Sequence, residues 1–177
     1  MKNIIKFLAI LLISFTFNSC DEVEKLADVD FSTTLVEKIP VHFDEDTTQE
    51  SIDLSIDMSL DNVDTHDYLD KIKNLSIKKL TYKIVDLTGG DESSYMQVNL
   101  LMDAFELQHN LAMNIQEDFN NETIFEITDV NLLNQIANSI KTNKQISVSL
   151  SGDYQSQTIT DFKIEVTLDL DVIANPL

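Results

Sequence analysis

Apolar and polar residues alternate along most of the chain. The clearest case is SIDLSIDMSL at residues 51–60, where even positions are apolar and odd positions are serine or aspartate. A period of two is typical of a β-strand with one face against a core and the other in water. The same alternation predicts strands at residues 31–43, 75–87, 146–150 and 162–172.

Two of these strands carry signs of irregularity. Ile77 and Leu80 fall on opposite phases of the alternation. A bulge near Lys78 and Lys79 would bring both onto one face. Pro40 has no backbone N–H, which places its strand at a sheet edge or at a bulge.

Glycines and a phase change mark the predicted connections. Gly89 and Gly90 can adopt positive φ and predict a loop after the third strand. Gly152 predicts the turn between the last two strands. Ile159 is out of phase with the final strand, which predicts a bulge near Thr160.

Residues 94–117 fit two interpretations. Alternation on each side of 103–106 predicts two strands joined by a turn. However, Leu100, Ala104, Leu111 and their apolar neighbours also fit a helical spacing. We favour two strands and keep a partly helical segment as the alternative.

Two segments have a helical pattern. Thr128 or Asp129 can cap a helix with an apolar face that ends near Lys144. Asp64 or Thr65 can cap a shorter helix. A short strand is predicted between Asn121 and Thr128.

These elements predict a mainly β protein: an antiparallel β-sandwich of about eight strands with one or two short helices. The alternative is an α+β fold, in which a curved antiparallel sheet carries helices on one face. Residues 31–177 have a length typical of one domain.

The charge balance excludes one class of partner. The chain has 31 Asp and Glu against 12 basic residues, and all 12 are lysine. Nucleic-acid binding depends on clustered Lys and Arg, so we expect no nucleic-acid partner. A protein or glycan partner is compatible with this composition. Tyr68, Tyr95 and Tyr154 could stack on a sugar if they are exposed.

The first twenty residues are typical of an export signal. Lys2 and Lys6 precede an apolar run at residues 7–17. That run is too short to cross a bilayer as a helix, which needs about 20 apolar residues. The only cysteine of the chain, Cys20, follows directly in the sequence FNSC.

FNSC resembles the lipobox of bacterial lipoproteins, in which the cysteine is lipidated and becomes the first residue after cleavage. Phe17 and Asn18 depart from the common pattern in the manner of Bacteroidota-type lipoproteins. The resemblance implies a signal peptide at 1–19, lipid on Cys20 and an acidic tether at 20–30. It also implies the bacterial cell envelope, at the outer membrane, either periplasmic or surface-exposed.

A second short motif points to the same group. Asp46-Thr47-Thr48 resembles the O-glycosylation motif of exported Bacteroidota proteins, which implies that Thr47 is a glycan acceptor. The motif lies in a polar segment between two predicted strands, where an acceptor residue would be accessible.

Metal-ligating residues are only weakly grouped. His66 and Asp70 would share one face of a helix, and Asp53 and Asp57 would share the outer face of a strand. Neither pair has a third ligand at a suitable spacing. We therefore predict no metal site, although calcium is the ion that these carboxylates would select.

No motif predicts a reaction. His42, His66 and His109 are far apart, and no nucleophile motif or phosphate loop is present. The sequence favours a non-enzymatic binding or structural module without a cofactor. The alternatives are an envelope hydrolase that uses two carboxylates, and a carrier of an apolar ligand whose cavity involves the chain's methionines.

Overall fold

The computed structural model describes residues 28–175, in which eight strands form two four-stranded sheets. The strands are β1 Val29–Phe43, β2 Thr47–Ser59, β3 Ile72–Gly89, β4 Tyr95–Met102, β5 Phe105–Asn114, β6 Phe125–Ile127, β7 Gln145–Ser156 and β8 Thr160–Ala174. The helices are a 3-10 helix His66–Lys71, α1 Ile115–Asn120 and α2 Val130–Asn143.

The strand order identifies the architecture. One sheet, sheet A, has the order β1-β8-β3-β6, and the other, sheet B, has the order β2-β7-β4-β5. All pairings within both sheets are antiparallel. This arrangement is the double-sheet jelly roll. The predicted antiparallel β-sandwich of about eight strands is confirmed, and the alternative of a single curved sheet is wrong.

The core lies between the two sheets and follows the alternation of the sequence. Along β8, each even-numbered residue is buried and each odd-numbered residue is exposed or half-buried. From sheet B, Met96, Val98, Leu100 and Met102 face it and are at most 1% exposed. Alternate residues of facing strands in the two sheets therefore build this core.

Two predictions about strand irregularity are confirmed. Ile77 pairs with Leu170 and Lys79 with Asp169, so Lys78 is the extra residue of a bulge in β3. That bulge keeps the buried face of β3 in phase on both sides of Lys78. Pro40 lies on β1, an edge strand of sheet A, where no ladder hydrogen bond is lost on the open side.

The ambiguous segment forms two strands and then a helix. β4 and β5 are joined by a two-residue turn, in which Asp103 has a φ of 50°. A helix across this turn is therefore wrong. The last residues of the segment are helical, because the Asn114 side chain caps α1 by accepting a hydrogen bond from the Glu117 N–H. The sequence did not predict α1, since six residues are too few to show a helical period.

Two predictions about the end of the chain are wrong. Gly152 does not form a turn but lies within β7, paired with Ile52 on one side and Val98 on the other. The turn occupies residues 157–159 instead. Ile159 lies in this turn and is 51% exposed, so its phase requires no bulge at Thr160.

The predicted helices are present. Asp129 caps α2 by accepting hydrogen bonds from the N–H groups of Asn131 and Leu132, and Lys144 ends the helix in the left-handed conformation. The shorter helix, His66–Lys71, is of the 3-10 type. No helix within residues 28–175 combines the length and the apolar character required to cross a bilayer.

The pairing of β1 with β8 defines the two ends of the sandwich. Val29 pairs with Ala174 at what we call the proximal end, and Phe43 pairs with Thr160 at the distal end. The 15 residues of β1 separate the two ends by about 45 Å. The distal end also carries Gly89 and Gly90, whose φ values of 73° and 80° confirm the predicted loop.

Candidate functional site

The outer face of sheet A is covered by ion pairs. Glu165 on β8 lies 3.3 Å from Lys38 Nζ and 3.1 Å from Lys83 Nζ. Partial burial raises the pKa of Glu165, but the hydrogen bonds from the two lysines outweigh burial and hold it below the usual value. This acid therefore stays ionised and paired.

Further acids on the same face are paired in the same way. Asp86 lies 2.9 Å from Lys163, and Asp171 lies 2.7 Å from Lys78. A hydrogen bond from the lysine is the main cause that lowers the pKa of each carboxyl. Because these pairs are exposed, each contributes little to stability. Their effect is to leave sheet A with a largely neutralised surface.

The outer face of sheet B is different. None of its four strands contains a lysine. Its central strand, β7, presents small polar side chains to solvent, including Ser147, Ser149 and Ser151. Acidic side chains occur mainly on the edge strand β2, where Asp53 and Asp57 are exposed. The outer face of sheet B therefore offers uncharged hydrogen-bonding side chains, and no lysine lies among them.

Three buried hydroxyl groups hold the distal end together. Ser94 Oγ lies 2.9 Å from Ser156 Oγ and 3.0 Å from Thr160 Oγ1, and the last two are 3.1 Å apart. All three side chains are at most 1% exposed. The cluster joins the loop after β3, the end of β7 and the start of β8, so it fixes the positions of the loops around it.

Two polar clefts open at this end, one on each side of the loop that contains Glu92 and Ser93. The first, of about 360 Å³, is lined by side chains that include Asp46, Thr47, Ser93 and Gln157. The second, of about 490 Å³, is lined by carboxylate and amide side chains: Glu92, Asn114, Gln116, Glu117, Asn120 and Asn121. Both clefts suit a ligand with hydroxyl or amide groups.

The predicted attachment residues fall in different places. Cys20, the signal peptide and most of the proposed tether lie outside the described residues. Thr47 begins β2 in the wall of the first cleft. Its Oγ1 donates a hydrogen bond to the Asp44 carbonyl oxygen at 3.2 Å. The modification of either residue stays a prediction.

The weak metal candidates are not brought together. Asp53 and Asp57 are four residues apart on β2, a separation of about 13 Å. His66 and Asp70 lie on a 3-10 helix, where residues four apart do not share a face. Within residues 28–175, no three His, Cys, Asp or Glu side chains are grouped to hold a metal ion.

The histidines that have acidic partners are exposed. His42 Nδ1 lies 2.7 Å from Asp161, whose hydrogen bond is the main cause that raises the histidine pKa, with a further contribution from Asp44. His66 Nδ1 lies 2.7 Å from Asp61, which raises its pKa in the same way.

No Asp or Glu in the described chain is buried. The hydrolase alternative calls for an acid held protonated by burial in a cleft, and no Asp or Glu within residues 28–175 lies in such an environment.

Sequence reasoning missed the distal end as a site. Its clefts combine residues from separate loops, and no local motif marks them. One signal was available: the strands of sheet B contain no lysine, although the chain has 12. Once the strands were assigned to sheets, this uneven distribution of lysines would have distinguished the outer face of sheet B from that of sheet A.

No protein-family model matches the sequence, and no curated protein is significantly similar to it. Three viral structures are among the similar folds. The decameric BFDV capsid protein is 12% identical, with 81% of this chain and 99% of that chain covered and a TM-score of 0.46. Desmodium yellow mottle tymovirus is 14% identical, with 82% of each chain covered and a TM-score of 0.38. Turnip yellow mosaic virus is 14% identical, with 82% and 94% covered and a TM-score of 0.36. Similarity this low carries no argument about function.

Proposed function

We propose that this chain is an exported lipoprotein whose jelly roll is a non-catalytic binding module with its binding surface at the distal end. The observation that carries the proposal is the placement of the two ends. The chain enters the fold at Val29 on the proximal end, and the polar clefts lie at the opposite end, about 45 Å away. A module anchored through its N-terminus would present those clefts away from the anchor.

The proposed anchor is lipid on Cys20. Each buried methylene contributes about 0.8 kcal/mol to membrane binding, and two or more acyl chains hold a protein stably. Eight residues lie between Cys20 and Val29, so the nine Cα–Cα steps of the tether reach at most about 32 Å. The body would stay close to the membrane. Loss of Lys2 and Lys6 with the signal peptide takes the net charge from -19 to -21, which would keep the body from lying flat on an anionic surface.

The proposed partner is a glycan or a protein rather than a nucleic acid. The described lysines lie on sheet A, on the 3-10 helix, and on α2 or at its C-cap. Most of the lysines on sheet A form ion pairs with acids. No cluster of free cations in residues 28–175 is therefore available for phosphates. The uncharged polar groups of sheet B and the distal clefts remain as the recognition chemistry.

The anchor is tested by comparing the wild-type chain with Cys20→Ser in a bacterial host that processes lipoproteins. The wild type should partition with membranes and incorporate labelled acyl chains, and Cys20→Ser should do neither. As a control, a chain exported by an ordinary secretory signal should be soluble and folded. Membrane partition of Cys20→Ser, or an unlabelled wild type, would overturn the anchor.

The side of the outer membrane is tested separately. A cysteine introduced by Asp46→Cys marks the distal end, and one introduced by Asp64→Cys marks the proximal end. An impermeant maleimide applied to intact cells should label the distal cysteine if the module is surface-exposed. Labelling only after the outer membrane is broken would place the module in the periplasm.

The apolar-carrier alternative has no supporting observation in residues 28–175. The methionines proposed to line a cavity lie in the packed core, each at most 1% exposed: Met58, Met96, Met102 and Met113. The clefts at the distal end are polar. We therefore do not propose a carrier.

A further inference from the structure

The distal end of sheet B has an unusual row of side chains. Tyr95 on β4 pairs with Gln155 on β7 and with Asn114 on β5. Met96 beside it points into the core, so Tyr95 lies on the outer face. We call Gln155, Tyr95 and Asn114 the Tyr95 row. It places one aromatic ring between two amide side chains.

Tyr95 differs from the other tyrosines of the chain. Tyr82 stacks on Phe125 at 4.9 Å, Tyr154 stacks on Phe43 at 4.2 Å, and Tyr68 packs against Phe31 at 5.3 Å.

No aromatic side chain in the described part of the chain contacts Tyr95, and Tyr95 is half-buried rather than buried. Of the tyrosines that could stack on a sugar, Tyr154 is buried, and Tyr68 is half-buried like Tyr95 but packs against Phe31 at the proximal end, away from the two clefts. Tyr95 is therefore the tyrosine at the distal end whose ring is available to a ligand.

The Tyr95 row also connects the two clefts. Gln155 lines the first cleft and Asn114 lines the second. The two residues are separated by two strand spacings, about 10 Å. The Tyr95 ring thus lies between the two polar clefts. A ligand that reaches both clefts must span this distance, which suits a chain of a few linked units better than a single small molecule.

Free amide groups surround the Tyr95 ring. The side chains of Gln155 and Gln157 are exposed and have no hydrogen-bond partner in residues 28–175, and the same holds for Gln97, the next outward residue on β4. An amide offers both a donor and an acceptor. Amide side chains therefore suit ligands whose hydroxyl groups both donate and accept hydrogen bonds, as those of sugars do.

Charge narrows the ligand class further. No lysine occurs on sheet B, while Asp46, Glu92 and Glu117 line the two clefts. Anionic ligands would meet carboxylates without a compensating cation. An apolar ligand would leave the amides unpaired, which is costly. A neutral polyhydroxylated chain satisfies the amides and can place the C–H face of a sugar ring on Tyr95.

We propose that the Tyr95 row and its two clefts bind a neutral oligosaccharide. Tyr95 supplies the stacking surface, and Gln155, Gln157 and Asn121 supply hydrogen bonds from the two clefts. This inference rests on the proposed function in one respect: both place the binding surface at the distal end. The lipid anchor is not needed for the site to bind.

The test uses the chain from Asp21 onward, which retains all described residues and the whole core. Neutral cello-, malto-, manno- and xylo-oligosaccharides are titrated while amide resonances are followed by NMR, with a sulfated oligosaccharide as the anionic comparison. We expect at least one neutral oligosaccharide to shift the resonances of the Tyr95 row, and the sulfated one to leave them unchanged.

Three variants separate stacking from folding. Tyr95→Ala should weaken binding by about tenfold or more, whereas Tyr95→Phe, which keeps the ring, should stay within a few-fold of the wild type. Ser55→Ala, on the same outer face but farther along the sheet, should bind as the wild type does. Thermal unfolding of each variant reports whether the fold is intact.

Two outcomes would overturn the inference: no neutral oligosaccharide shifts the Tyr95 row, or Tyr95→Ala binds as tightly as the wild type while folded. Stronger shifts with the sulfated oligosaccharide would also overturn it, because they would show an anion site. None of these results affects the anchor, which is measured by membrane partition of the complete chain. The two proposals can therefore fail separately.

Discussion

Gly152 of β7 lies so close to Gln97 of β4 that a Cβ atom on Gly152 would be 2.2 Å from the Gln97 carbonyl oxygen. The same atom would be 2.7 Å from the Cα of Val98. Both neighbours are backbone atoms of a paired strand, so they cannot move aside as a flexible side chain would. The absence of a side chain at Gly152 is what allows β7 and β4 to approach here.

Gly152→Ala should therefore destabilise the protein by at least about 2 kcal/mol, because one strand must shift to admit the methyl group. Denaturant unfolding measures the loss. Ser151→Ala is the matched control: Ser151 precedes Gly152 and points outward, so its effect should stay within about 0.5 kcal/mol. Equal stability of the two variants would contradict the close approach.

The hydroxyl cluster of Ser94, Ser156 and Thr160 makes a second prediction. Thr160→Val keeps the shape of the side chain but removes one hydroxyl, which leaves its two buried neighbours short of a partner. We expect a loss of about 1–3 kcal/mol in the free energy of unfolding. Thr158→Val, in the exposed turn beside the cluster, is the control and should have little effect. Indistinguishable midpoints for the two variants would argue against a structural role of the cluster.

The pair of His42 and Asp161 predicts a pH dependence. Asp161, with help from Asp44, raises the histidine pKa above 6.5. The stabilisation from protonated His42 is therefore fully present below pH about 6.5 and is lost as the pH rises through the folded-state pKa. Since His42 is exposed, the effect is best observed locally.

An NMR titration should place the His42 midpoint above 6.5 and, in Asp161→Asn, closer to that value. His66, whose pKa is raised by Asp61, provides the internal control and should titrate identically in both proteins. If His42 titrates unchanged in Asp161→Asn, the hydrogen bond is not the cause of its shift.

Thr47 can be tested as a glycan acceptor by intact mass after expression in a Bacteroidota host. The wild type should carry additional mass, Thr47→Val should lose it, and the neighbouring Thr48→Val should keep it. Because the Thr47 hydroxyl donates to the Asp44 carbonyl in the folded chain, attachment would replace that hydrogen bond. An unmodified wild type, or a mass retained in Thr47→Val, would refute the assignment.

Elements defined by neighbouring residues could be predicted from the sequence. The bulge at Lys78 was predictable because a change of phase within one strand has few physical solutions. The Asp129 cap was predictable because its acceptor and the N–H groups it binds are two and three residues apart. By contrast, Gly152 was misassigned because a glycine required for close strand packing looks the same in sequence as one required for a turn.

Strand pairing and the clefts could not be predicted in this way. β1 pairs with β8 across most of the chain, and the Ser32–Asp171 hydrogen bond joins residues 139 apart. Nothing local to either strand identifies the other. The Tyr95 row has the same property, since Gln155, Tyr95 and Asn114 become neighbours only when β7, β4 and β5 are aligned.

The position of β8 has a consequence for biosynthesis. Of the described strands β8 is the last to be synthesised, yet it lies between β1 and β3 and is the main partner of both. Most of sheet A therefore cannot form until residues 160–174 have been made, and such long-range pairing is slow. Until then the sheets can pair only in part, as in the β4–β5 hairpin, so the export that we propose would act on a chain whose two-sheet core has not yet assembled.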